Sequence, residues 1–183
     1  MIRNLGSRSF TTKDRFYFDA NVWVSIFPPP SDPSSESRRR YSNVLKRAKK
    51  VQSDIFLDST VVSEYINTYS RIEYRAYFPG NPTMSFKKFR ETHPDEYGRT
   101  AAEITDNLAE IFSLPNVRKI DCPFGTMNVE AMIGCFGADS CDWNDQVIVE
   151  TCKKNGLTLI TNDGDFRNVQ DLDILTYNGR LLM

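Results

Sequence analysis

Histidine is almost missing from this chain, with one, His93, in 183 residues. A serine–histidine triad or a two-histidine hydrolytic site would have to rest on that residue. It sits in the polar run Glu91-Thr92-His93-Pro94-Asp95 and reads as a solvated side chain beside a helix start. Cysteine is scarce too. Cys122, Cys135, Cys141 and Cys152 include no Cys-x-x-Cys pair, which argues against a structural zinc site. They read as buried, reduced thiols of a cytoplasmic protein. No apolar run approaches the length of a membrane span, and Met1–Phe10 lacks the apolar core of a secretory leader. A net charge of −1 excludes a uniformly basic nucleic-acid binder. A hydrolase of this composition is left with carboxylates and metal.

The chain has ordinary globular proportions, 40% hydrophobic and 26% charged residues, and its length suits one domain over residues 1–183. Its charges are unevenly spread. Arg38 to Lys50 holds seven basic residues and no acidic one, whereas Asp139 to Asp173 holds eight acidic residues against three basic. A basic face beside an acidic pocket fits this distribution.

The stretch from Ser140 to Phe166 organises the rest. Asp142 occupies a helix N-cap position and Asp145 lies in the first turn. Trp143, Val147, Ile148 and Cys152 then recur at helical spacing, and Lys153, Lys154 and Asn155-Gly156 close the helix. Leu157–Thr161 follows as a buried strand and Asn162-Asp163-Gly164-Asp165 as a turn rich in carboxylates. A helix running straight into a strand is half of a parallel α/β unit, and ligands gather at the carboxyl ends of such strands.

Arg15–Asp19 predicts a first strand ending in a carboxylate, with Asn21 two residues on. Asp19 is then a sheet-edge ligand or a simple helix cap. Asp32-Pro33 opens a helix with Tyr41, Val44, Leu45, Ala48 and Val51 on one face and Arg38, Arg39 and Arg40 among the cations on the other. Such a face is a solvated surface or a grip for phosphates. Ile55–Leu57 predicts a second strand, capped into a helix by Asp58-Ser59. Glu64 flanks that helix's apolar stripe, exposed or turned toward a cleft. Aromatics interleaved with cations, Lys87 and Lys88 among them, fill Glu73 to Thr92. They suit single-stranded nucleic acid or a helical excursion with its rings packed inward. A helix from Pro94 to Ser113 presents Ala101, Ile104, Leu108, Ile111 and Phe112, and one over Met127–Phe136 turns Val129, Met132, Ile133 and Phe136 inward. Val117–Asp121 and Asp173–Tyr177 complete the predicted strands.

Four separated places thus put acids at strand ends or first helical turns. Carboxylates brought together repel unless a cation intervenes, and Mg²⁺ or Mn²⁺ takes oxygen ligands of this kind. At these residues the chain resembles PIN-domain ribonucleases, VapC-type toxins in particular. The resemblance rests on Asp19-x-Asn21 after a strand, Ser59 followed by Glu64, Asp142-Trp-Asn-Asp145-Gln-Val-Ile opening a helix, and Thr161-Asn-Asp163-Gly-Asp165-Phe166 after a strand. It implies an α/β, PIN-like three-layer sandwich with a central parallel sheet flanked by helices, here carrying a helical excursion over about 74–115. It implies metal-dependent endonucleolytic cleavage of RNA. Asp19, Glu64, Asp145 and Asp163 match the acidic quartet, Asp142 and Asp165 match further acidic positions, and Asn21 and Thr161 match supporting polar positions. It also implies inhibition by a cognate antitoxin protein, often within larger oligomers. Two alternatives stay open: a non-catalytic PIN-like module that binds RNA or protein, or a PIN nuclease of RNA processing, since the 28–33 and 74–115 segments are long for a compact toxin. An unrelated phosphatase or receiver-like domain with Asp19 as phosphoacceptor is a further alternative.

Overall fold

The computed structural model describes residues 1–32, 35–78, 80, 83–137 and 142–183. Its centre is a six-stranded, all-parallel sheet flanked by helices in three layers. The strands are β1 (Ile2–Asn4), β2 (Arg15–Phe18), β3 (Asp54–Leu57), β4 (Val117–Lys119), β5 (Thr158–Ile160) and β6 (Ile174–Thr176), in the spatial order β1-β6-β5-β2-β3-β4. Because both faces are covered by helices, the inner strands are short apolar runs without alternation. Phe16, Tyr17, Phe18, Leu159 and Ile160 are all buried.

The helices are α1 (Ala20–Ile26), α2 (Ser35–Val51), α3 (Ser59–Tyr77), α4 (Phe86–Thr92), α5 (Pro94–Ser113), α6 (Val129–Gly137) and α7 (Trp143–Asn155). Local chemistry sets several of their ends. The Asp58 carboxylate accepts from the N–H groups of Thr60 and Val61 and starts α3; Asp142 does the same for α7 through Asn144. Pro94 opens α5, where its missing N–H costs nothing. Gly156 ends α7 at φ 61°, a left-handed conformation that favours glycine.

β2 is the topological switch point: its next strand in sequence, β3, lies on one side and β5 on the other. The register aligns Phe18 with Ile160, so Asp19 and Thr161 leave the sheet side by side. In open parallel sheets this crevice is where ligands bind.

Several predicted elements change in detail. β1 has no counterpart in the sequence reading; its three residues are too short to show a period, and pairing with β6 alone defines it. α3 runs on through Tyr77, so the excursion beyond it consists of α4 and α5, where Tyr74 and Phe89 are buried in a cluster with Phe78 and Phe86. His93 belongs to that cluster, stacked on Phe89 at 5.0 Å, and is not a freely solvated side chain. Phe112 does not join the inward face of α5. One residue past buried Ile111, it is turned about 100° round the helix and stands 38% exposed. Ile133 and Phe136 do not face inward either, at 58% and 57% exposed. Only Met132 of that stripe is buried, in a small satellite core with Met127 and Val147. Pro33, Ser140 and Cys141 lie outside the described residues. Among the described residues no helix is long and apolar enough to cross a membrane.

Candidate metal-dependent active site

Asp19 stands at the N-cap position of α1, yet its side chain makes no capping bond there. The carboxylate turns across the switch point instead. Its Oδ2 accepts from the Thr161 hydroxyl at 2.6 Å and from the Asn21 amide. Thr161 Oγ1 in turn accepts from the Asp163 backbone N–H at 2.9 Å, and the Asn21 carbonyl oxygen accepts from the Asn162 N–H at 3.0 Å. This network ties the ends of β2 and β5 together and turns the Asp19 side chain across the sheet edge while its backbone stays at the N-cap of α1. The structure places Asn21 and Thr161 on either side of the Asp19 carboxylate, each donating to it.

Asp19 is 5% exposed, and burial pushes its pKa up from 3.8 to about 6, with the Asp163 charge adding to the rise and the Thr161 bond opposing it. Glu64, half-buried on α3, is pushed up to about 7 by burial and then by the charge on Asp19, while the Asn144 side chain lowers it. Asp145, half-buried in the first turn of α7, rises from 3.8 to about 7 through burial and then the charges on Asp19, Asp163, Asp142 and Glu64. Four elements therefore bring Asp19, Glu64, Asp145 and Asp163 to one rim of the sheet, where the Asp19 charge acts on Glu64 and Asp145 and the Asp163 charge on Asp19 and Asp145. Asp142 is exposed but belongs to this field. Asp165 is also exposed, its N–H donating to Asp163 Oδ1 at 3.1 Å, and it is not among the main charges acting on the other three. Among the described residues no three acids, thiols or imidazoles converge tightly enough to enclose a metal ion.

A model of the PIN domain matches residues 16–172, a span that contains every acid of this rim. The chain belongs to the PIN domain family. PIN domains are generally nucleases and typically depend on divalent metal, which removes the phosphatase and receiver-like alternative. Among solved structures the PIN fold recurs in a chain of VapBC2 from Rickettsia felis, crystallised bound to a DNA fragment from their promoter. The TM-score is 0.52 and the identity 18%, with 88% of this chain and 98% of that chain covered. No curated protein matches the chain by sequence.

The predicted basic residues are placed less centrally. Arg38 and Arg39 are exposed on α2; Arg40 pairs with Glu36 at 2.6 Å and lies over the Tyr177 ring. The next residue, Tyr41, reaches the PIN rim, donating to Asn162 Oδ1 at 3.0 Å. Lys87 and Lys88 are exposed on α4, a helix packed against α3 and α5. Sequence reasoning missed Tyr41 and Asn144 as parts of the site. Tyr41 was indistinguishable from its apolar neighbours on α2, and nothing in spacing tied Asn144 to Glu64.

Proposed function

We propose that this PIN domain is a metal-dependent endoribonuclease whose acids Asp19, Glu64, Asp145 and Asp163 hold Mg²⁺ or Mn²⁺, with Asp142 and Asp165 in auxiliary roles. The observation that carries it is the convergence of acids from four elements on one rim, where burial first and neighbouring carboxylate charges second raise the pKa values of Asp19, Glu64 and Asp145. The donor set suits a hard cation, being carboxylates, with Asp19 oriented by the Asn21 amide N–H and the Thr161 hydroxyl. When bound, such an ion makes water a better nucleophile and offsets charge developing on a phosphodiester. The chain's own part is placement: Thr161 and Asn21 fix Asp19, Asp58 anchors the helix that presents Glu64, and Asp142 caps the helix that presents Asp145. Carboxylates with pKa values near neutrality are suited to take a proton from an attacking water. The cations of α2, next to Tyr41 and the rim, support an RNA substrate held by its phosphates.

The fold likeness to the VapBC2 chain supports a VapC-like toxin acting in the cytoplasm and restrained by an antitoxin that covers the rim. The experiment is RNA cleavage with Mn²⁺ by the wild type, Asp19→Asn and Asp145→Asn, with circular dichroism to verify folding. Cleavage lost in both variants and in EDTA is expected; full cleavage by both, or indifference to EDTA, refutes the proposal. Toxicity on expression that Asp19→Asn relieves is expected of the toxin assignment, and a harmless wild type counts against it.

A further inference from the structure

The same sheet rim holds a second hollow, whose lining includes none of the four acids. It lies where β3 and β4 end, between α3 and the last turn of α5, with a volume of about 510 Å³, within the range of small-molecule sites. Its walls are apolar, from Val62, Ile66 and Ile120. Phe112 stands at its edge, exposed, with the Lys119 ammonium 4.9 Å from the ring centre. Lys119 makes no ion pair among the described residues.

The charges in the hollow sort what enters it. Asp58 is buried with its Oδ2 unpartnered among the described residues, and Asp121 also lines the hollow, so phosphate is disfavoured there. Among the described residues Lys119 is the only cation of the lining. A flat, uncharged, stackable group therefore fits the apolar interior while an anion sits at the Lys119 edge, the division of labour seen where proteins hold single strands. Asp58, which lines the hollow, also caps α3, the helix that carries Glu64.

We infer that this hollow is a nucleobase subsite for single-stranded RNA, with Phe112 as the stacking face and Lys119 as the contact to the adjoining phosphate. It rests on the ribonuclease reading for the identity of its ligand and sets which nucleotide flanks the cut. The test measures binding of a short fluorescein-labelled single-stranded RNA to the full-length Asp145→Asn protein, alone and combined with Phe112→Ala, Lys119→Ala or Ser63→Trp, the last on an exposed position where the indole fills the hollow. Loss of the stacking face is expected to weaken binding about fivefold to a hundredfold. Ser63→Trp should do likewise, and Lys119→Ala should lower the salt dependence by about 0.7 in log–log slope. With Asp145 restored, Phe112→Ala should also redistribute the cleavage positions. Unchanged affinity in Phe112→Ala and Ser63→Trp, or a parent protein that binds no RNA, overturns the subsite. Phe112-dependent binding by a wild type that cuts nothing keeps the subsite and overturns the nuclease.

Discussion

Replacing Asp145 with asparagine should stabilise the metal-free protein at neutral pH while removing its activity. Asp145 holds its proton more tightly folded than unfolded, with a pKa of about 7 against 3.8. The folded chain therefore binds more protons across that interval. Stability from this group is fully present below about 4 and is lost as pH rises through about 7. Counted in full, the rise corresponds to at most ~4 kcal/mol. The side chain is half-exposed and its field is shared with Asp19, Asp163, Asp142 and Glu64, so solvent screening leaves ~1–2 kcal/mol. For a chain of this length that is a Tm increase of ~2–8 °C at pH 7.5. The assay is thermal denaturation in EDTA at pH 5 and pH 7.5, repeated with Mn²⁺. The gain should be small at pH 5, where the carboxyl is already largely neutral, and Mn²⁺ should raise the Tm of the wild type more than that of the variant. A variant less stable than wild type at both pH values would show that burial and the neighbouring charges do not disfavour the ionised Asp145 as inferred.

Thr161→Val keeps the shape but removes the hydroxyl that donates to Asp19 and accepts from Asp163. Denaturant titration should show a loss of ~1–3 kcal/mol, the cost of leaving buried groups unpaired, and the variant should need more Mn²⁺ for activity. Replacing Arg38, Arg39 and Arg40 together by alanine should weaken RNA binding and flatten its salt dependence without reducing the melting temperature, since only Arg40 has a described ion pair and that pair is exposed. Binding that ignores this change would place the phosphates elsewhere. Phe89→Ala should cost ~3–5 kcal/mol in urea unfolding, because Phe89 is buried among Tyr74, Phe78 and the His93 ring.

What local chemistry dictates was legible along the chain. Asp142 as cap and Gly156 as stop bound α7 without help from any other element, and Pro94 to Ser113 reads as a helix from its own proline and apolar spacing. The apolar runs at Phe16–Phe18 and Leu159–Ile160 were visible as buried strands, because a strand covered on both faces needs no alternation. The errors fall where packing decides. Ile133 and Phe136 have helical spacing, but α6 rests on a small satellite core that covers only one turn's width. Phe112 lies a third of a turn from the buried side of α5. β1 exists because β6 offers it a ladder.

By itself the sequence determined which carboxylates stand at strand ends and first helical turns, since caps, stops and strand ends are written in a few adjacent residues. Only the tertiary structure decided that β2 pairs with β5 on one side and β3 on the other. That pairing swings Asp19 onto the Thr161 hydroxyl, and it sets Glu64 and Asp145 within reach of the Asp19 charge. Parallel pairing and shared charge join positions more than a hundred residues apart, and no local pattern encodes that meeting.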